Sequence, residues 1–126
     1  FTGNLGSAIV TVGDNYTMTT TAAKANGVTI NKATDGALLI STATAGDFSL
    51  VGSVNATISE LNHDLTATSL TGSLTISDIN AAGKSISTGS GGSNITLGNI
   101  ADTSITGGSG IDQVVFDGSK IGRAHV

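Results

Sequence analysis

The chain has no cysteine and no proline among its 126 residues. Without cysteine there is no disulfide framework and no thiolate zinc site. The compartment stays open on this point, because large secreted bacterial repeat proteins often avoid cysteine. Aromatic residues make up 3% and charged residues 11%, against about 25% charged in an ordinary globular domain. An enzyme of this size usually carries several aromatics to fill a central core. No apolar run approaches the roughly 18 residues of a membrane span, and no signal peptide is visible. With a net charge of −4 there is no basic stripe to track phosphates, which argues against a nucleic-acid partner. The acidic balance is compatible with divalent cations.

Glycine is plentiful, at 18 residues, Ser and Thr are abundant, and the apolar residues are small and aliphatic. That suits a thin, layered core in which each turn of chain buries a few side chains against its neighbours. The apolar residues form a comb: Ile30, Leu39, Phe48, Ile58, Ala67, Ile76, Ile86, Ile95, Ile105 and Val114, with gaps of 9 or 10 throughout. Ala67 is its weak tooth. Around many teeth apolar and small polar residues alternate, as in Val28-Thr29-Ile30, Leu74-Thr75-Ile76 and Ile95-Thr96-Leu97. Alternation puts one set of side chains inside a strand and the other outside. Between the teeth sit turn formers: Asn26-Gly27, Asp35-Gly36, Thr71-Gly72 and Gly91-Gly92-Ser93-Asn94. Gly and Asn tolerate the positive φ of tight turns.

This rhythm predicts an all-β fold, a parallel β-solenoid (β-roll or β-helix) of short strands with about 9–10 residues per strand-turn unit. Two strands per coil would give about 18–20 residues per coil and three about 28. A β-sandwich is the competing architecture, but sandwich strands are usually longer and more aromatic. The runs Thr19 to Thr21 and Ser87 to Ser90 read as hydroxyl ladders on the outside. One stretch departs from the pattern: Ile58, Leu61 and Leu65 are spaced like a helix face, with Asn55 or Thr57 as a cap. It reads either as one helical turn or as a strand with an irregular loop.

Both ends carry signs of truncation. The chain starts at Phe1 with no initiator Met, and it ends Ile121-Gly122-Arg123-Ala124-His125-Val126. That hexapeptide resembles the translation of a common short-read sequencing adapter, with Lys120 supplying the junction codon. The expected organisation is therefore one repeat region over residues 1–120, cut at both ends, and a non-native tail over 121–126. Without Arg123 the formal charge becomes −5, four basic residues against nine acidic ones. His125 is then neither a ligand nor a base.

One motif carries chemistry. Gly107-Gly108-Ser109-Gly110-Ile111-Asp112-Gln113-Val114-Val115 fits GGxGxDxUx, where U is a large apolar residue. It resembles the hemolysin-type (RTX) calcium-binding nonapeptide of secreted bacterial toxins, proteases and adhesins. The resemblance implies a glycine turn, Val114 in the core of a parallel β-roll, and Asp112 with turn carbonyls of neighbouring coils as ligands to Ca²⁺. A cation that takes six to eight oxygens suits carbonyls exposed by a glycine turn. Gly89-Ser90-Gly91-Gly92-Ser93-Asn94 reads as a degenerate copy 18 residues earlier, with Asn94 where Asp is expected and Ile95 one place early. The implied metal set is Asp112, Gly107, Gly108, Gly110, Asn94 and Gly91. More loosely, the rest of the chain resembles the Thr/Ser/Ala/Gly-rich β-strand repeats of giant bacterial adhesins and S-layer proteins.

Other candidates point to structure rather than chemistry. Glu60, His63 and Asp64 lie close in sequence, but metal and catalytic sites generally need a further orienting partner. Asp14, Asp35, Asp47, Asp78, Asp102 and Asp117 read as turn residues. No nucleophile elbow is present, and Gly89-Ser90-Gly91-Gly92 lacks the Lys of a phosphate loop. Asn15, Asn55 and Asn94 open Asn-x-Thr triplets, expected by chance in a Thr-rich chain. The expected function is a non-catalytic structural or adhesive repeat segment of a secreted or cell-surface protein. Its expected partners are neighbouring repeats and surface glycans or other cell-surface proteins. The alternatives are the calcium-binding tail of a secreted toxin or protease, and a carbohydrate-active β-helix enzyme. Against the last, Lys24, Lys32 and Lys84 are isolated and aromatics for sugar stacking are few.

Overall fold

The computed structural model describes residues 3, 5–41, 46–98, 102–117 and 124–125. In chain order the elements are β1 (Val10–Val12), β2 (Thr17–Thr20), α1 (Ala22–Ala25), β3 (Ile30–Lys32), β4 (Ala37–Ile40), β5 (Phe48–Gly52), β6 (Asn55–Ile58), β7 (Leu65–Leu70), β8 (Leu74–Ile76), β9 (Ser85–Ser87), β10 (Ser93–Leu97), β11 (Thr103–Thr106), β12 (Asp112–Phe116) and β13 (Ala124–His125). Consecutive strands do not pair with each other. Instead β2, β4, β6, β8, β10 and β12 line up in one sheet and β5, β7, β9, β11 and β13 in a second, while β1 pairs with β3. Every strand pair is parallel. The chain is thus a β-solenoid of about 5 turns, with two strands of the main sheets per coil.

The register fixes the coil length. Leu74 lies beside Ser93 and Ser93 beside Asp112, a spacing of 19. Earlier in the same sheet Ala37 lies beside Asn55 and Ala56 beside Leu74, a spacing of 18. The comb of 9 and 10 is the same chain crossing from one sheet to the other halfway round each coil. Parallel neighbours then stack like on like. Ile40, Ile58, Ile76, Ile95 and Val114 form one inward ladder, and the four isoleucines are completely buried. Phe48, Leu65, Ile86 and Ile105 form its counterpart across the core.

Two teeth of the comb move. Leu39 is only half-buried, and the inward positions of β4 are its neighbours Leu38 and Ile40. A run of three aliphatics gives no alternation to choose between faces. The weak tooth Ala67 is buried, but Leu65 fills the register position between Phe48 and Ile86. A β-bulge lies between the pairs Ser49–Thr66 and Val51–Ser69, where β7 holds one residue more than β5. Such a bulge bends the strand and shifts the phase of the side chains that follow.

Other expectations also change. Of the two readings of Ile58–Leu65, the strand with an irregular loop holds and the helical turn does not. There β6 ends at Ile58, Leu61 makes a parallel bridge to Ile79 and β7 begins at Leu65, all three aliphatics buried at a corner of the coil. Among the described residues the single turn of helix is α1, whose N-cap Thr21 accepts from the Lys24 N–H at 3.3 Å. The hydroxyl ladders are not purely external, because Thr20 and Thr88 are buried. Thr20 begins the isoleucine ladder, beside Ile40. Ser93 and Asn94 belong to β10 rather than to the preceding turn. In the C-terminal hexapeptide, Ala124–His125 pairs with β11 as β13. Residues 118–123 and Val126, including Lys120, lie outside the described residues.

Candidate functional site

The corner that leads into the first sheet is where glycines concentrate, and coil stacking explains them. A Cβ on Gly72 would sit 2.0 Å from the Val54 carbonyl oxygen of the coil below, and one on Gly91 2.1 Å from the Gly72 carbonyl. A second column repeats the pattern: Gly89 sits over the Leu70 carbonyl at 1.9 Å and Gly108 over the Gly89 carbonyl at 2.0 Å. Coils about 4.8 Å apart leave no room for side chains where a corner turns directly above another corner. Coil packing therefore requires Gly108 and Gly110 of the nonapeptide, while Gly107 faces only the Asp112 side chain.

Asp112 is the first residue of β12 and lies on the inward column Leu38, Ala56, Leu74, Ser93, Asp112. Its Oδ1 accepts from the Ser93 hydroxyl at 2.7 Å and the Thr88 hydroxyl at 3.1 Å. Thr88 Oγ1 in turn accepts from the Gly108 N–H at 2.7 Å. This network ties the nonapeptide to the coil before it. The column turns from aliphatic to hydroxyl to carboxylate as it reaches the edge strand. The sequence signal for it is the 19-residue spacing: with Asp112 set against Ser93, Gly108 falls on Gly89, Gly110 on Gly91 and Val114 on Ile95. At that spacing Ile95 is no longer one place early.

Of the six residues expected to hold a metal, Gly107, Gly108 and Gly110 share this corner with Gly91 below them, and Asp112 stands beside it. A Cβ on Gly107 would lie 2.6 Å from Asp112 Oδ2. Asn94 is not brought in: it is an exposed residue of β10, paired with Gln113, one place beyond the Ser93–Asp112 pair. Among the described residues no three His, Cys, Asp or Glu side chains gather around a common point. A cation that takes six to eight oxygens would find one carboxylate here, with one of its oxygens already held by two hydroxyls.

Several Asp and Asn residues, at corners and in strands, do one job repeatedly. Asp47 Oδ1 accepts from the Asp64 N–H at 3.0 Å and Asp64 Oδ1 from the Ser85 N–H at 2.8 Å. Asn26 serves the Ser49 N–H at 2.9 Å, and Asn31 and Asn55 serve Ser53 and Ser73 at 3.1 Å each. Asp14 accepts from the Thr34 and Asp35 N–H groups. Each side chain satisfies a main-chain donor one coil further on, which a corner outside the strand ladder otherwise leaves to solvent. The Thr34 N–H holds the Asp14 carboxyl below the usual carboxylate range, with the Thr34 side chain and the Asp35 N–H adding to it. The triad Glu60, His63 and Asp64 disperses: Glu60 accepts from Asn80, His63 faces Asp47 at 3.8 Å, and Asp64 holds Ser85. Lys32 donates to Asn55 Oδ1 at 3.0 Å.

The glycine corner also borders a groove of about 280 Å³ lined by Thr68, Ser87–Ser90 and Thr106–Ser109. It spans three successive coils, and sequence reading did not find it, since its residues are ordinary Ser, Thr and Gly drawn from separate turns. No helix among the described residues is long and apolar enough to cross a membrane. Compared with protein-family models, curated protein sequences and solved structures, the chain matches none of them.

Proposed function

We propose that this chain is a non-catalytic structural segment: a stackable rod of parallel coils that spaces or builds part of a secreted or cell-surface protein. One observation carries the reading. Carboxylates and amides of corners and strands are spent on main-chain N–H groups of the next coil, at Asp47, Asp64, Asn26, Asn31 and Asn55. Groups bonded in this way hold coils together and are not poised to exchange protons with a substrate. A rod of this kind is modular, because each coil contacts only its neighbours. Repeating residues 74–111, two coils by the pairing of Leu74 with Ser93 and Ser93 with Asp112, should lengthen the particle by about 10 Å. Small-angle X-ray scattering should show this elongation with an unchanged cross-section. A variant that grows in all directions would overturn the rod.

A calcium-binding reading of the RTX type stands second, supported by the match over residues 107–115 and by Asp112 Oδ2 beside Gly107 at the edge of the first sheet. On that reading, millimolar Ca²⁺ raises the melting temperature relative to chelator, and Asp112→Ala removes the rise. Identical melts with and without Ca²⁺ would discard it.

A further inference from the structure

The groove beside the glycine corner is built in a way that stacking does not require. Its floor is Thr88, buried and already bonded to Asp112, Gly108 and the Thr106 carbonyl. Around that floor stand five more hydroxyl side chains: Thr68, Ser87, Ser90, Thr106 and Ser109. None of the five hydroxyls hydrogen-bonds another described residue, whereas the Thr88 and Ser93 hydroxyls nearby both donate to Asp112 Oδ1. Thr68 reaches the groove from the bulged stretch of β7. Bulges of this sort re-aim side chains, often next to binding sites.

The lining selects a ligand by elimination. Among the described residues no cationic side chain lines the groove, and the Asp112 carboxylate stands next to Gly107, which disfavours an anion. A bare cation finds hydroxyls but only that one carboxylate, already held through Oδ1. A wholly apolar ligand would leave the hydroxyls without partners, while the carbon that the lining also exposes suits the apolar ring faces of a sugar. A neutral polyol meets the lining on equal terms, since each hydroxyl of either side both donates and accepts. The volume of about 280 Å³ is at the small end of ligand sites, suiting one or two sugar rings of a longer strand. The groove crosses successive coils, so its hydroxyls recur along the rod axis at the coil spacing.

We propose that this groove, formed by Thr68, Ser87, Ser90, Thr106 and Ser109, binds a segment of an uncharged glycan. The inference rests on the structural reading and gives the rod a surface with which to hold a polysaccharide. The test uses the whole chain and ligand-detected NMR with a panel of neutral oligosaccharides (gluco-, manno- and galacto-configured, two to six units), with uronic-acid oligomers alongside. At least one neutral oligomer should bind. Ser90→Trp, at an exposed corner position, fills the groove and should weaken binding at least about tenfold, as should Ser87→Val with Thr106→Val. Thr96→Val, on the outer face of the other sheet, should leave it unchanged. Absence of binding across the neutral panel overturns the proposal. So does a preference for the uronic oligomers, binding that a chelator abolishes, or binding that groove variants and Thr96→Val affect alike. Scattering on the same samples keeps the two readings apart: an intact rod without binding removes the glycan site alone, and loss of the rod removes both.

Discussion

At the scale of single residues, position relative to the coil below decides what a side chain is worth. Gly72 and Gly27 look alike in the sequence, each closing a turn-like dipeptide. Gly27 has φ +70 with nothing near its missing Cβ, while Gly72 faces a carbonyl at 2.0 Å. Alanine at 27 costs about 1–2 kcal/mol for the left-handed backbone. Alanine at 72 forces two coils apart, and its loss should exceed the roughly 3 kcal/mol that bounds most point substitutions. Urea unfolding of both variants measures the difference, and equal midpoints would refute the stacking role. Thr20 offers the opposite case. Its hydroxyl is buried without a partner among the described residues, at the head of the isoleucine ladder, so Thr20→Val should stabilise by about 1 kcal/mol.

Asp14 adds a pH dependence at the same scale. Its folded pKa is depressed, chiefly by the Thr34 N–H. The contribution is therefore present above the unfolded value, about 4, and is lost as pH falls through the lower folded value. The difference in melting temperature between the wild type and Asp14→Ala should be constant from pH 5 to 7 and shrink below about pH 4. A gap that widens on acidification would show that the clamp does not act through the carboxylate. The group is fully exposed, so the effect is small and best seen at low salt.

At the scale of elements, the strands are short and none is stable alone. The first sheet gains its order from six parallel strands in register and the second from five. Like-on-like stacking makes each ladder position interdependent with the one below. Ile58 is completely buried between Ile40 and Ile76. Ile58→Ala should cost about 2–5 kcal/mol, whereas Leu39→Ala, on the half-buried outer side of β4, should cost under about 1 kcal/mol. Comparable losses for both would restore Leu39 to the core.

At the scale of the molecule, the first and last described coils expose apolar side chains. Ile9 and Tyr16 do so near the first coil, and Ile111, Val115 and Phe116 near the last strand of the first sheet. An edge strand with unpaired N–H and C=O groups templates further pairing. The chain should therefore self-associate with rising concentration. Val115→Lys with Phe116→Lys should shift sedimentation velocity profiles toward the monomer, and a wild type that stays monomeric at every concentration would remove this edge from consideration.

The sequence by itself determined the class of fold. Its comb of apolar residues at gaps of 9 and 10 specifies short strands that favour stacking over a sandwich, and its small side chains specify a thin core. It also made the glycine corner visible. Tertiary structure decided everything that depends on which coil lies above which. It chose 19 residues rather than 18 between the last corners, which moved Ser93 rather than Asn94 beneath Asp112. It replaced Ala67 by Leu65 in the ladder, assigned the corner carboxylates to main-chain donors, and assembled a groove from three coils. The physical reason is that parallel stacking joins residues one coil apart. A local pattern sets the direction in which a side chain faces, but its neighbour is set by coil length, which bulges and corners adjust by a residue or two.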